Sequence, residues 1–239
     1  EAVERALGDT TFAKMMAGKR RLPDSDPRSQ RVARLGARLA RLAAAGDGGG
    51  KGYVAHLVDC GWRFVVVADP EINACALPGG KVVVNSGLVD RFAGDDDALA
   101  FVIAHEIGHV TARHSAEQLT LSAATQVMST IAAAAAAASG ALAGLDARAT
   151  EGIESLLEMG LFRPRSREQE FEADAIGVEL CQRGGFNVNG SIRVFTCFDQ
   201  MSRQQGTGGE MEKFFSFLST HPTPRDRALA VQERTQARL

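Results

Sequence analysis

The pentapeptide His105-Glu106-Ile107-Gly108-His109 constrains this chain more than any other stretch. Two histidines four residues apart on an α-helix leave the same face, about one turn apart. In helices of the form H-E-x-x-H the two imidazoles hold zinc and the glutamate serves as general base toward water. The surroundings fit such a helix. Asp95-Asp96-Asp97 suits a helix N-terminus. The uncharged run Phe101-Val102-Ile103-Ala104 leads into the motif as a buried helix should. Glycine costs roughly 1 kcal/mol in a helix interior relative to alanine, so Gly108 points to close packing at that turn. The helix is expected to run on to about Glu117.

Two histidines leave a tetrahedral ion short of a protein ligand. Ala112 and Ser115 stand where a third histidine would extend the motif. His114 falls about 180° from His105 around the same helix, and is expected to be a surface or packing histidine. A second helix is announced by the capping box Ser166-x-x-Gln169 and closed by Gly184-Gly185. On it Glu170 and Asp174 share one face. They suit a ligand carboxylate plus a second carboxylate that orients a ligand histidine through its other ring nitrogen. A solvated acidic face is the alternative. Glu168 and Glu172, each about 200° from Glu170, are expected to face solvent.

The zinc motif, together with Ser166-Arg167 and Glu170-Phe171-Glu172-Ala173-Asp174-Ala175-Ile176-Gly177, resembles the membrane metallopeptidases related to the CAAX prenyl endoprotease, HtpX and BepA. Asn73-Ala74-Cys75-Ala76-Leu77-Pro78-Gly79-Gly80-Lys81 is similar to the stretch before the zinc helix in their Oma-type branch. The likeness runs from about Leu7 to Arg227. It implies a zincin-type (gluzincin) metallopeptidase domain. One Zn2+ per chain would be held by His105, His109 and Glu170, with Glu106 as catalytic base. The setting implied is membrane-protein quality control. In Thr220-His221-Pro222-Thr223-Pro224-Arg225-Asp226-Arg227 the resemblance places His221 near zinc as an oxyanion donor, and Arg227 as a residue that holds the site together. A donor of that kind is worth roughly 3 kcal/mol. A loop bearing His221 can equally cover the metal and keep the enzyme latent. The Gly206 to Gly209 stretch nearby motivates that reading.

The order of elements is a helix, a small sheet and then many helices, an α+β fold that is mainly α, with the sheet beside the active-site helix. Pro27 is followed by Val32, Leu35, Leu39 and Leu42 at helical spacing, and the helix runs into a glycine-rich stretch from Gly46 to Gly52. Residues 1–50 therefore read as an N-terminal helical arm and 51–239 as the metallopeptidase domain. Phe64 to Val67 and Lys81 to Val84 read as strands, with a turn at Pro78-Gly79-Gly80. Lys81 to Asn85 is either an edge strand that accepts an extended peptide or an ordinary internal strand. Asn189 can cap a helix carrying Val194, Phe195 and Phe198, and Thr223-Pro224 can start a C-terminal one. Any targeting segment is expected upstream of Glu1.

A formal net charge of −2 argues against a nucleic-acid binder. The basic segment 19–41 is either a solvated helix face or a patch for anionic lipid or a partner. Cys60, Cys75, Cys181 and Cys197 lack C-x-x-C spacing, which leaves buried thiols or one disulfide. Leu119 to Leu145 carries no charge and is long enough to span a bilayer, which takes about 20 residues. Its alanines and polar residues favour a helix over the site or at a membrane surface instead. The function expected is a zinc-dependent endopeptidase acting on unfolded or membrane-protein polypeptides, with peripheral membrane contact. Its compartment would be the mitochondrial inner membrane ahead of the bacterial periplasm. A latent or non-catalytic chaperone-like module with a zinc site is the alternative. Nothing in the sequence sets an oligomeric state.

Overall fold

Valine-rich segments and one short alanine-rich segment build the sheet. The computed structural model describes residues 2–46, 60–118, 165–203 and 226–231. Within them β1 (Arg63–Val67), β2 (Ala74–Leu77) and β3 (Lys81–Asn85) form a three-stranded sheet in the order β1-β3-β2. β1 and β3 run parallel, with Arg63 opposite Lys81, and β2 returns antiparallel, with Leu77 opposite Lys81. Gly79 and Gly80 turn the β2–β3 hairpin at φ of 68° and 78°, a region that favours glycine. β3 is thus the central strand. The edge-strand reading of Lys81 to Asn85 is corrected: among the described residues β1 and β2 are the edge strands, and the outer edge of β1 is partly covered by an Arg21–Val67 bridge and by the Leu22 N–H donated to the Val66 carbonyl.

Alternation along the strands separates two cores. Val66, Val82, Val84, Ala74 and Ala76 join the main cluster, while Val65, Val67, Val83 and Leu77 face a smaller one with Phe12. Phe12 comes from α1 (Ala2–Ala17). This helix crosses the hairpin closely enough that a side chain on Gly8 would collide with the Pro78 carbonyl. Asp9 on it meets the buried Lys81 ammonium at 2.9 Å.

α2 (Pro27–Ala44) starts on Asp26, whose carboxylate accepts the Arg28 N–H, with Pro27 in the first turn. Its stripe of Val32, Leu35, Leu39 and Ala43 enters the main core. The arginines on its outer side are engaged. Arg28 meets Asp26 and Asp90, and Arg31 and Arg34 both reach Asp96. Partly exposed ion pairs of this kind are worth about 0–1 kcal/mol. They do neutralise much of the segment read as a lipid-facing patch, and they favour the solvated-face alternative.

After α3 (Ser86–Arg91), α4 (Asp96–Thr111) carries the histidine motif. Asp95 caps it by accepting the Ala98 N–H, as the run of aspartates predicts. Every residue from Ala98 to Thr111 is buried, so helices and sheet enclose α4 on all sides. It ends earlier than its sequence pattern implies. Ala112 closes the helix and Arg113 takes a positive φ of 60°. The angular argument about His114 therefore does not apply, although this residue is buried as a packing histidine would be.

α5 (Arg167–Arg183) opens on the expected capping box, and α6 (Asn189–Arg203) follows. Glu168 and Glu172 are exposed, as expected from their angle to Glu170. All four cysteines are free thiols. The chain divides into two compact units, Glu1–Ala112 with Pro164–Leu239 and Arg113–Arg163. Of the second, residues 113–118 are described and include a helical turn from His114. The Gly46–Gly52 linker beyond Gly46, the Leu119–Leu145 stretch, the Gly206–Gly209 loop, His221 and the Thr223-Pro224 helix start lie outside the described residues. No described helix is long and apolar enough to cross a membrane.

Two glycines set the distance between α4 and α5. A Cβ on Gly108 would lie 2.8 Å from the Ala173 carbonyl oxygen, and one on Gly177 would lie 3.1 Å from the His105 backbone nitrogen. Backbone cannot yield as a flexible side chain can. Overpacking of this kind costs about 1–3 kcal/mol, against roughly 1 kcal/mol regained from the helix propensity of alanine. Gly108→Ala is therefore expected to lower the urea midpoint and to weaken zinc binding, read by competition with a chromogenic chelator. Unchanged zinc affinity would show that the spacing of these helices does not govern the cluster.

Candidate metal centre

The close approach at Gly108 and Gly177 lays Glu170 over the two histidines. His105 Nε2 and His109 Nε2 lie 3.0 Å apart. Glu170 stands 3.6 Å from the first and 3.4 Å from the second. Their donor atoms form the one His/Cys/Asp/Glu group among the described residues able to hold a metal ion. His114 is not part of it, which agrees with the packing role expected for it.

The protonation pattern supports a cation there. His105 Nδ1 lies 2.9 Å from Asp174, so this nitrogen carries the hydrogen and donates it to the carboxylate. The Nε2 lone pair then faces His109. Burial presses His109 well below its ordinary pKa of 6.5, and the charges of Arg165 and His105 press further, so its ring is neutral near pH 7. Two imidazoles and a carboxylate converge at separations close to the ligand edges of a tetrahedral ion, about 3.3 Å for bonds of about 2.0–2.1 Å. Zinc suits this donor set. No cysteine belongs to this group among the described residues. Burial, with Asp97 nearby, pushes the Cys181 thiol up to about 12.

Arg227, in the helical segment 226–231, closes the far side. Its Nε and Nη2 each donate to Asp174 at 2.7 Å, and its Nη1 donates to Glu170 at 2.5 Å. Its guanidinium also lies 5.2 Å from the centre of the Phe195 ring. Burial raises the Asp174 carboxyl pKa, but the Arg227 charge and hydrogen bonds, with those of His105, outweigh it and hold the group below the usual range. Burial works against the Arg227 charge, but Asp174 first, then Glu170 and the wholly buried Glu106, outweigh it and raise the Arg227 pKa.

The structure thus brings together His105, His109, Glu170, Asp174 and Arg227, with Glu106 on the same helix as both histidines. His221 falls outside the described residues. Sequence reasoning gave no role to Gly177, and none to β2 as a strand. The signal for Gly177 was its place two turns after Glu170, on the face that must approach α4.

The depressed His109 pKa has a consequence for stability. The unfolded chain binds a proton near its ordinary value of 6.5 that the folded chain refuses. Stability therefore rises with pH through the window below 6.5, is complete above it, and is lost as pH falls. In chelator, the melting temperature is expected to drop between about pH 7.5 and about pH 5.5. His109→Gln is expected to flatten that drop. An equal slope in both proteins would sink the assignment.

Comparison with known proteins agrees with this geometry. The chain is 33% identical over 232 residues to the mitochondrial metalloendopeptidase OMA1 of Schizosaccharomyces pombe, covering 96% of this chain and 60% of that protein. It is 36% identical over 169 residues to the mitochondrial metalloendopeptidase OMA1 of Saccharomyces cerevisiae, covering 70% and 45%. To the beta-barrel assembly-enhancing protease of Escherichia coli it is 28% identical over 244 residues, covering 97% and 43%. The chain therefore spans 60% or less of the length of these relatives. A mainly α fold with a small sheet beside the histidine helix is the zincin-like arrangement that the motifs implied. The profile of peptidase family M48 matches residues 29–235, most of the chain, and the protein belongs to that family, with relatives in its Oma-type and BepA-type branches.

Proposed function

We propose that this protein is a zinc-dependent endopeptidase that cuts unfolded or membrane-protein polypeptides in membrane-associated quality control. The convergence of His105, His109 and Glu170 in a buried cluster, on the helix that also carries Glu106, supports this reading most directly. Those three residues would hold one zinc ion per chain. When bound, zinc supplies Lewis-acid chemistry that polarises a carbonyl and acidifies water.

The remaining roles fall to the chain's own groups. Glu106 takes the proton from the attacking water and passes it to the leaving amine. Asp174 holds His105 in one tautomer and orientation. Arg227 neutralises Asp174 and Glu170 and ties the C-terminal helical segment to the site. His221 serves as oxyanion donor or as a gate over the metal. The open edge of β2, which packs on α4, accepts an extended peptide through main-chain hydrogen bonds. Residues 51–239 are proposed as the peptidase domain, with 1–50 as an arm before it. The mitochondrial names of the OMA1 relatives support a mitochondrial setting, within which we propose the inner membrane, with the bacterial periplasm as the alternative.

Metal analysis tests the ligand set. The purified chain is expected to carry one zinc ion, and His109→Ala none. Casein cleavage is expected to stop with a chelator and to return with added zinc. Cleavage indifferent to the chelator would overturn the proposal, and zinc binding without any cleavage would leave the binding-module reading.

A further inference from the structure

Among the described residues, α6 gives the metal cluster no donor atom. It packs on α4 and carries Phe195, a ring only 2% exposed. Rings buried to that degree usually fill space and no more. Phe195 differs in what it meets. The Arg227 guanidinium carbon lies over its face, 5.2 Å from the ring centre. The Phe101 ring also meets it, edge to face, with centres 5.5 Å apart and planes at 66°.

A guanidinium is a flat cation with donors around its rim and two bare faces. In Arg227 the rim is committed. Nε and Nη2 donate to Asp174, Nη1 donates to Glu170, and Nη2 also lies 3.4 Å from His105 Nδ1. Both carboxylates belong to α5, and they fix the guanidinium only as well as they are themselves fixed. A ring on another helix supplies an independent hold. An aromatic face attracts a cation through its quadrupole, most strongly when both are out of water, and Arg227 is 2% exposed.

The contacts close a circuit. His105 Nδ1 meets Asp174 at 2.9 Å, Asp174 meets Arg227 at 2.7 Å, and Arg227 covers Phe195. Phe195 packs on Phe101, whose ring centre lies 6.5 Å from that of His105. Phe101 stands one turn before His105, so the circuit returns to the helix that carries the histidines. We propose that Phe195 is a positioning residue for the metal centre. Its face holds the Arg227 guanidinium in the plane that keeps Glu170 turned to the metal and Asp174 turned to His105. This rests on the reading of the cluster as a zinc site.

The test varies the charge of the ring at nearly constant shape. Full-length chains carry phenylalanine at position 195 with an increasing number of ring fluorines, which drain the π face stepwise. Circular dichroism checks that each chain is folded, and competition with a chromogenic chelator reads its zinc affinity. Affinity is expected to fall with each added fluorine, by about threefold to tenfold across the series. Phe195→Leu is expected to lose at least as much. In chains that also carry Arg227→Met the slope is expected to vanish, because a thioether presents no charge to the ring. If that variant takes up no zinc, the series with Arg227 in place decides alone. A ring that only fills space gives no trend with fluorine, and that result overturns the proposal. So does a slope that survives Arg227→Met. A parent chain that binds no zinc removes the zinc-site reading and this role with it. Zinc binding indifferent to the ring's charge removes the role of Phe195 alone.

Discussion

Replacing Glu106 with Gln is expected to lower peptide cleavage by about 10²–10⁴-fold, the usual contribution of a positioned general base. The change is nearly isosteric and removes only the ability to take a proton. Glu106 is not among the three residues whose donor atoms converge, so zinc content is expected to stay at one per chain. Its side chain is wholly buried in the interior of α4. A neutral amide there relieves a buried charge, so the folded state should not weaken. The comparison needs metal analysis, a thermal melt and a cleavage assay on one preparation. Full activity in a zinc-loaded, folded Glu106→Gln protein would end the case for this base.

The second large effect concerns stability. Arg227→Met is expected to destabilise the metal-free protein by about 3–5 kcal/mol, the cost of leaving a buried charge without its partner. Two carboxylates lose their arginine at once, because Arg227 donates to both Asp174 and Glu170, and the histidines still face them. Methionine keeps much of the apolar contact with Phe195, so lost charge rather than lost volume dominates. Asp174→Asn in the same chain is expected to restore part of the loss, since one stranded charge is then gone. This non-additivity distinguishes a charge network from simple packing. Urea unfolding followed by circular dichroism in chelator reads both. A loss under about 1 kcal/mol would show that the carboxylates reach water, as exposed pairs do.

Local signals carried much of this site and tertiary contacts carried the rest. Four-residue spacing put His105 and His109 together, and the capping box fixed the phase of α5, so that Glu170 and Asp174 faced inward while Glu168 and Glu172 did not. Arg227 had no such signal. It enters through docking of a short C-terminal segment onto α5, and only the resemblance marked it. β2 was missed because Ala-Cys-Ala-Leu is short and has weak strand preference. It becomes a strand by pairing with β3, and this turns the expected edge into the centre of the sheet. The early end of α4 depends on a single positive φ at Arg113, which apolar periodicity does not encode.

His105 and Arg227 touch across 122 residues of sequence. At a synthesis rate of about 5–20 residues per second, the histidines leave the ribosome well before the arginine that neutralises their surroundings. A nascent chain therefore carries an unfinished, electrostatically unbalanced site. Translation order thus leaves the histidine cluster without its guanidinium until the segment carrying Arg227 has docked.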